Sequence, residues 1–158
     1  MAFEASQIDE HWYARAFDAL YPVVYAHRTV ASAAPEFAFA RQATRLQRGE
    51  ALLDLCCGMG RHLVHALDWT EHASGLDFSA VLLEHAQRNT QGRAHLVRGD
   101  MRHLPFGARF DVVMNFFTSY GYFRAPAENE AVLAGIARVL RAGGRFFLAY
   151  LNADQVRA

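Results

Sequence analysis

Hydrophobic positions change their spacing once along the chain, near residue 50. Before that point they recur at helical spacing, and the first predicted helix carries Trp12, Ala16, Phe17, Leu20 and Tyr21. Pro22 should interrupt this helix, and a second one is expected from about Glu36 to Gln47, starting after Pro35. We therefore predict a helical N-terminal cap or lid over residues 1–48.

From residue 49 onward, short apolar runs alternate with helical stretches. The runs predict five strands, at Ala51–Leu55, His72–Leu76, Ala94–Val97, Phe110–Met114 and Arg145–Leu151. Between them we expect a helix over Arg61–Leu67, another after an N-cap at Ser79, and a third that Gly143 and Gly144 terminate. Strands joined by helical crossovers indicate an α/β fold with a parallel, doubly wound sheet, in which ligands bind at the carboxyl ends of the strands.

The composition and charge of the chain limit the classes of partner that it is expected to bind. The chain has 158 residues, 53% of them hydrophobic, which is enough for one buried core. Its 16 basic and 16 acidic side chains balance, so we expect neither nucleic acid nor a membrane as partner. No apolar run is long enough to span a membrane, and the first residues lack the pattern of a secretory leader. The adjacent Cys56 and Cys57 suit neither a disulfide nor a metal site, so we expect no metal and a cytoplasmic location.

The first predicted strand runs directly into a glycine-containing turn, in the sequence LLDLCCGMGRH. Gly58 and Gly60 would let the backbone turn tightly and approach a ligand, and Asp54 could accept hydrogen bonds from an ammonium group. The alternative is a strand–helix turn that merely needs glycine. A dinucleotide fingerprint would require a third glycine at the position of Leu63, which argues against a nucleotide-dependent oxidoreductase.

The second predicted strand ends in the sequence GLDFS, which places an acidic residue 19 positions after Gly58. This is about the distance at which a carboxylate grips the hydroxyl groups of a ribose in nucleotide-binding folds. Asp77 could also be an exposed strand-end residue that caps a turn. Because position and spacing agree, we favour the ribose contact.

The arrangement resembles the acidic-x-Gly-x-Gly-x-Gly signature of class I S-adenosylmethionine-dependent methyltransferases, with Cys56 at the first glycine. The resemblance covers residues 9–152 approximately. It implies a Rossmann-like sheet of order 3-2-1-4-5 with N-terminal helices, S-adenosylmethionine as cofactor over residues 49–158, and an enzyme that methylates an unidentified small-molecule acceptor. The last two strands usual in this family are expected to be missing. A non-catalytic module that binds the cofactor or a partner therefore remains an alternative.

The resemblance also implies where the cofactor lies. Asp100 and Met101, after the third strand, match the element that meets adenine, and the end of the fourth strand faces both the transferred methyl group and the acceptor. The predicted cofactor-binding residues are Asp54, Cys56, Gly58, Gly60, Asp77, Phe78, Asp100, Met101, Asn115 and Phe116. The fourth strand lacks Asn-Pro-Pro-Tyr and Pro-Cys, the elements of methyltransferases that act on DNA bases, so a nucleic acid acceptor is not expected.

The acceptor side of the site has weaker candidates. His62 and His103 follow the first and third strands and could act as general bases, although a histidine beside a cleft is more often structural. Tyr120 is a third catalytic candidate. The N-terminal aromatic residues Tyr13, Phe17, Tyr21 and Tyr25 either cover the cofactor as a lid or simply pack on the sheet.

The fifth predicted strand has an unusually apolar sequence, FFLAYL over residues 146–151. With no later strand to cover it, such a strand would lie at an exposed edge of the sheet. Exposed apolar edges recruit partners unless they are covered. We therefore expect a homo-oligomer, formed through this edge or by exchange of an N-terminal helix.

Overall fold

Five parallel strands form a single sheet in the computed structural model, which describes residues 12–152. The strands are β1 Leu52–Leu55, β2 Ala73–Asp77, β3 His95–Arg98, β4 Phe110–Asn115 and β5 Leu140–Leu148. Their order in the sheet is β3-β2-β1-β4-β5, and each neighbouring pair is parallel. This confirms the predicted fold class and strand order.

Helices cover both faces of the sheet. They are α1 Trp12–Ala16, α2 Tyr21–Val24, α3 Val30–Thr44, α4 Arg61–Ala66, α5 Ala80–Asn89 and α6 Pro126–Val139. One core cluster packs the sheet against α3 and α4, and the other packs it against α6 and the aromatic residues of α1. Because both faces are buried, successive strand residues such as Leu52 and Leu53 are both apolar.

The N-terminal helices begin and end at other residues than the hydrophobic pattern predicts. The single helix expected from Trp12 to Tyr21 is two short helices, since Pro22 lies in the first turn of α2, where its missing N–H costs nothing. The second helix begins at Val30, because the Thr29 side chain accepts a hydrogen bond from the Ser32 amide and caps it there. Pro35 lies inside this helix. Residues 1–11 of the predicted cap lie outside the described residues.

The last strand also differs from the prediction. Helix α6 ends at Val139 and β5 begins at once with Leu140, which pairs with Phe110. The pairing of β4 with β5 is interrupted after this pair and resumes where Arg145 pairs with Val112. Gly143 lies in the interruption and has a positive φ of 77°. The two glycines therefore lie in a bulge of β5 and do not terminate the helix.

No helix among residues 12–152 is both long and apolar enough to cross a membrane.

Candidate functional site

The turn after β1 brings the chain back on itself through three residues with left-handed backbone. Cys56, Gly58 and Gly60 have φ angles of 62°, 52° and 71°. A Cβ atom on Gly60 would lie 3.0 Å from the Cβ of Ala86, whereas one on Gly58 would meet nothing within 4 Å. Gly60 is thus required for packing of the turn against α5, while Gly58 borders open space.

Asp77 joins this turn to the end of β2. Its Oδ2 accepts a hydrogen bond of 2.8 Å from the Gly58 amide, and its Oδ1 accepts one of 2.9 Å from the Ser79 amide. Burial raises the pKa of Asp77, although these two bonds oppose the shift. A carboxylate offers about four acceptor positions. A hydrogen bond from the Phe78 amide opposes the shift as well, so Asp77 keeps only part of its acceptor capacity for a ligand.

Asp54 is buried on β1 at 2% exposure, and neither of its carboxyl oxygens has a hydrogen-bond partner among the described residues. Burial raises its pKa to about 8, and the negative charge of Asp77 adds to the shift, while Arg61 opposes it. A buried carboxyl group without a donor is costly unless a ligand supplies one. A cationic donor beside Asp54 would satisfy these oxygens and favour the charged carboxylate.

A cavity of about 960 Å³, counting its open mouth, lies at the carboxyl ends of the first four strands. Eight of the predicted site residues line it: Cys56, Gly58, His62, Asp77, Phe78, Asp100, Met101 and Phe116. Five others do not: Asp54, Gly60, His103, Asn115 and Tyr120. Most of the residues predicted from the ends of separate strands are thus brought to one cavity.

Asp100 is already engaged by a residue that sequence analysis missed. The Arg102 guanidinium lies 2.5 Å from its Oδ2 and also contacts Glu128 and the hydroxyl of Tyr13. Burial would raise the pKa of Asp100, but the hydrogen bonds from Arg102 outweigh it and lower the pKa. An adenine amino group at Asp100 would share this carboxylate with Arg102. The arginine follows Asp100 by two positions in GDMRH, yet nothing in that spacing distinguishes it from a surface residue.

His62 is held by a carboxylate on another helix. Its Nε2 lies 2.7 Å from Glu36 Oε2, and its ring stacks on Phe116 with centroids 3.7 Å apart. Burial lowers the pKa of His62 to about 4, although the bond to Glu36 opposes the shift. The imidazole is therefore neutral at pH 7 and donates its Nε2–H to Glu36. The sequence pattern does not reveal the role of Glu36, because this residue lies on α3, 26 residues before its partner.

The three remaining candidates that lie off the cavity have structural contacts. Asn115 Nδ2 donates to the carbonyl of Leu55 at 2.7 Å, which joins the ends of β4 and β1, and its Oδ1 has no partner among residues 12–152. His103 is exposed, and its backbone amide donates to the Asp100 carbonyl in a turn. Tyr120 is half-buried against the core on the α6 side. Catalytic roles for the last two remain predictions.

Aromatic residues of the N-terminal helices form the outer wall of the cavity. Tyr13, Phe17, Tyr21 and Tyr25 all line it, with the rings of Tyr21 and Tyr25 4.4 Å apart. The Ser79 hydroxyl donates to the Phe17 carbonyl at 2.6 Å and fastens this segment to the end of β2. Tyr13 is a core residue at 8% exposure. The segment thus both packs on the domain and covers the cavity.

Tyr122 is a further residue that lines the cavity. It lies against the rings of Trp12 and Phe17, with centroid distances of 5.0 and 6.0 Å. Burial raises its pKa to about 12, and the nearby Cys56 adds to the shift. Its hydroxyl is therefore protonated at pH 7 and can donate a hydrogen bond.

Known proteins are similar to this chain in sequence. A family described as a methyltransferase domain matches residues 52–144, which is more than half of the chain. A curated relative from Streptomyces venezuelae, dTDP-3-amino-3,4,6-trideoxy-alpha-D-glucopyranose N,N-dimethyltransferase, is 36% identical over 101 residues, or 64% of this chain. The match spans 42% of that relative's length.

Solved structures of similar proteins extend the comparison to the fold. The sugar N-methyltransferase KedS8 from Streptoalloteichus sp ATCC 53650 has a TM-score of 0.72 and 26% identity, covering 98% of this chain and 61% of its own. CalS10, an amino pentose methyltransferase from Micromonospora echinaspora solved with S-adenosylmethionine bound, has a TM-score of 0.69 and 28% identity. The likeness covers 87% of this chain and 58% of that one.

Proposed function

The chain belongs to the class I S-adenosylmethionine-dependent methyltransferase family, and from this premise we propose that it transfers a methyl group to a sugar-like small molecule bearing an amine. The cofactor of the family is S-adenosylmethionine. The observation that carries the proposal is the cavity at the strand ends, where Asp77 holds the Gly58 turn and keeps acceptor capacity for a ligand. A buried, unpartnered Asp54 behind the turn adds a second acceptor for a cation.

Each part of the cofactor has a chemically matched group in this site. Asp77 would accept hydrogen bonds from the two ribose hydroxyls, and Asp54 would receive the ammonium of the methionine part. Asp100 and Met101 would meet the adenine, with Arg102 sharing the Asp100 carboxylate. The bound cofactor supplies a methyl group on a positively charged sulfur that is already activated to leave.

The protein's own contribution to such a transfer is alignment and exclusion of water. The rings of Phe17, Tyr21 and Tyr25 cover the cavity, and electron-rich ring faces favour a neighbouring cation. His62 is neutral and has its Nε2–H committed to Glu36, so Nε2 is not free to take a proton from an acceptor. A general-base role for His62 would have to use Nδ1.

The proposed acceptor rests on the relatives. The Streptomyces venezuelae protein is named for dimethylating the amino group of a dTDP-linked sugar, and KedS8 is a sugar N-methyltransferase. Because this chain spans less than half of the former, its own activity and acceptor are part of the proposal.

Two measurements on the same chain test the proposal. Isothermal titration should give saturable binding of S-adenosylmethionine and S-adenosylhomocysteine, and none of NAD. Mass spectrometry should then detect a mass increase of one methyl group on a 3-amino-3-deoxy sugar nucleotide. Cofactor binding without turnover would favour the non-catalytic module, and failure to bind the cofactor at millimolar concentration would refute the proposal.

A further inference from the structure

A second cavity, of about 860 Å³ with its open mouth, lies beside the first at the carboxyl ends of β4 and β5. Half of its ten lining residues are aromatic: Phe39, Phe116, Phe117, Phe147 and Tyr150. Glu36 is the only charged residue that lines it among those the structure describes. One carboxylate in a pocket of mainly apolar and aromatic residues can fix the orientation of a ligand by a charged contact.

The two cavities share a wall. Phe116 and Phe117 line both of them, while His62 lines only the first. The stacking of His62 on Phe116 and its hydrogen bond to Glu36 connect the two sides, since Glu36 lies in the second cavity. A group held at Glu36 is therefore separated from the first cavity only by this wall.

The negative charge of Glu36 is only partly compensated by neighbouring groups of the protein. Its Oε2 accepts the Nε2–H of the neutral His62, and the Arg61 guanidinium is 3.9 Å from the same oxygen. Its Oε1 has no hydrogen-bond partner among the described residues, and the side chain is 48% exposed. One carboxylate oxygen thus remains available to a ligand that donates a hydrogen bond.

We propose that the second cavity is the acceptor site and that Glu36 recognises an aliphatic amine on the acceptor. Oε1 accepts an amine N–H, and the aromatic rings contact the hydrocarbon part of the ligand and favour its cationic form. A carboxylate accepts from an amine in either protonation state, whereas a hydroxyl in the same place forms a weaker, uncharged contact. This assignment depends on the proposed function in one respect, namely that the methyl donor lies in the first cavity.

The test compares two ligands of the same shape. Cyclohexylamine and cyclohexanol are titrated at pH 7 into the ¹⁵N-labelled chain, and amide shifts report both affinity and location. We expect the amine to bind about tenfold more tightly than the alcohol and to shift amides around Phe117 and Ala149. Glu36→Gln, whose side-chain oxygen still accepts from His62, should remove this preference, and the exposed control Glu71→Gln should keep it.

Several outcomes would overturn the assignment. These are equal affinities of the wild-type chain for the two ligands, shifts confined to residues away from the second cavity, or an unchanged preference in Glu36→Gln. The comparison of ligands on the wild-type chain needs no variant, so misfolding of Glu36→Gln would not prevent the test. Titration of S-adenosylmethionine into the same samples separates the two proposals, since cofactor binding with no amine preference contradicts only this one.

Discussion

Sequence spacing relative to the predicted strands was enough to propose Asp54, Gly58 and Asp77 as site residues. Each lies at or just beyond the carboxyl-terminal half of a strand, and parallel strands bring their carboxyl ends to one edge of the sheet. Glu36 and Arg102 carry no comparable signal, since their importance arises from partners on other elements. The three residues near the strand ends could therefore be proposed from the sequence. Glu36 and Arg102 are identified only by their contacts in the structure.

Asp77 should contribute more to cofactor affinity than any exposed carboxylate. Asp77→Asn keeps the size of the side chain but loses the charge-assisted hydrogen bonds proposed to the ribose. We expect the dissociation constant for S-adenosylhomocysteine to rise about tenfold or more, as measured by isothermal titration. Asp68→Asn, on an exposed residue after α4, is the matched control. Equal affinities of the two variants would remove Asp77 from the site.

The buried carboxyl group of Asp54 predicts a pH-dependent stability. Because burial raises its pKa from 3.8 to about 8, the folded chain holds this proton more tightly than the unfolded chain. The resulting stabilisation is complete below the unfolded pKa and is lost as the pH rises through the folded pKa.

Asp54→Asn removes this titration while keeping a neutral polar group. The variant should therefore become more stable relative to wild type when the pH is raised from 5 to 8. The difference in the free energy of unfolding should change by roughly 1–3 kcal/mol. Urea denaturation of the cofactor-free chain at the two pH values measures the shift. Asp68→Asn should show no such trend, and a pH-independent difference for Asp54→Asn would contradict the assignment of the raised pKa.

At the scale of elements, the hydrophobic pattern located the sheet better than the helix ends. The strands are short apolar runs. Because both faces of the sheet are buried, few other segments of the chain could form them. Helix α3 begins upstream of its predicted start because the Thr29 cap outweighs the interruption expected at Pro35. The start of β5 was missed because Gly143 and Gly144 fit a helix terminus as well as they fit a bulge.

Ser79 links two elements, so its loss should have an effect beyond that of a helix cap. Its hydroxyl accepts from the Leu82 amide and donates to the Phe17 carbonyl. Ser79→Ala and the control Thr29→Ala should each lower the free energy of unfolding by about 1 kcal/mol through loss of a cap. Only Ser79→Ala should also speed amide hydrogen exchange in residues 17–25, because it releases the aromatic wall. Equal exchange in both variants would show that the Phe17 bond does not hold this segment.

At the scale of the whole molecule, the two edges of the sheet differ in chemistry. The edge strand β3 ends in Arg98 and begins with His95, and both are exposed, as is typical of an edge that resists pairing. At the other edge β5 leads into Tyr150 and Leu151, which are 62% and 59% exposed. Among residues 12–152, the β5 edge is therefore the one that leads into exposed apolar side chains.

Self-association through β5 follows from this asymmetry and remains a prediction. Sedimentation velocity of the chain at high micromolar concentration should show a species larger than the monomer. Leu151→Lys places a charge at the apolar edge and should shift the distribution towards monomer, because pairing would bury an unpartnered ammonium group. Leu20→Lys is the matched control, since Leu20 is equally apolar and 67% exposed but lies on the N-terminal segment, away from β5. A monomer at all concentrations, or an equal response to both lysines, would mean that the β5 edge is not an interface even though its apolar side chains are exposed.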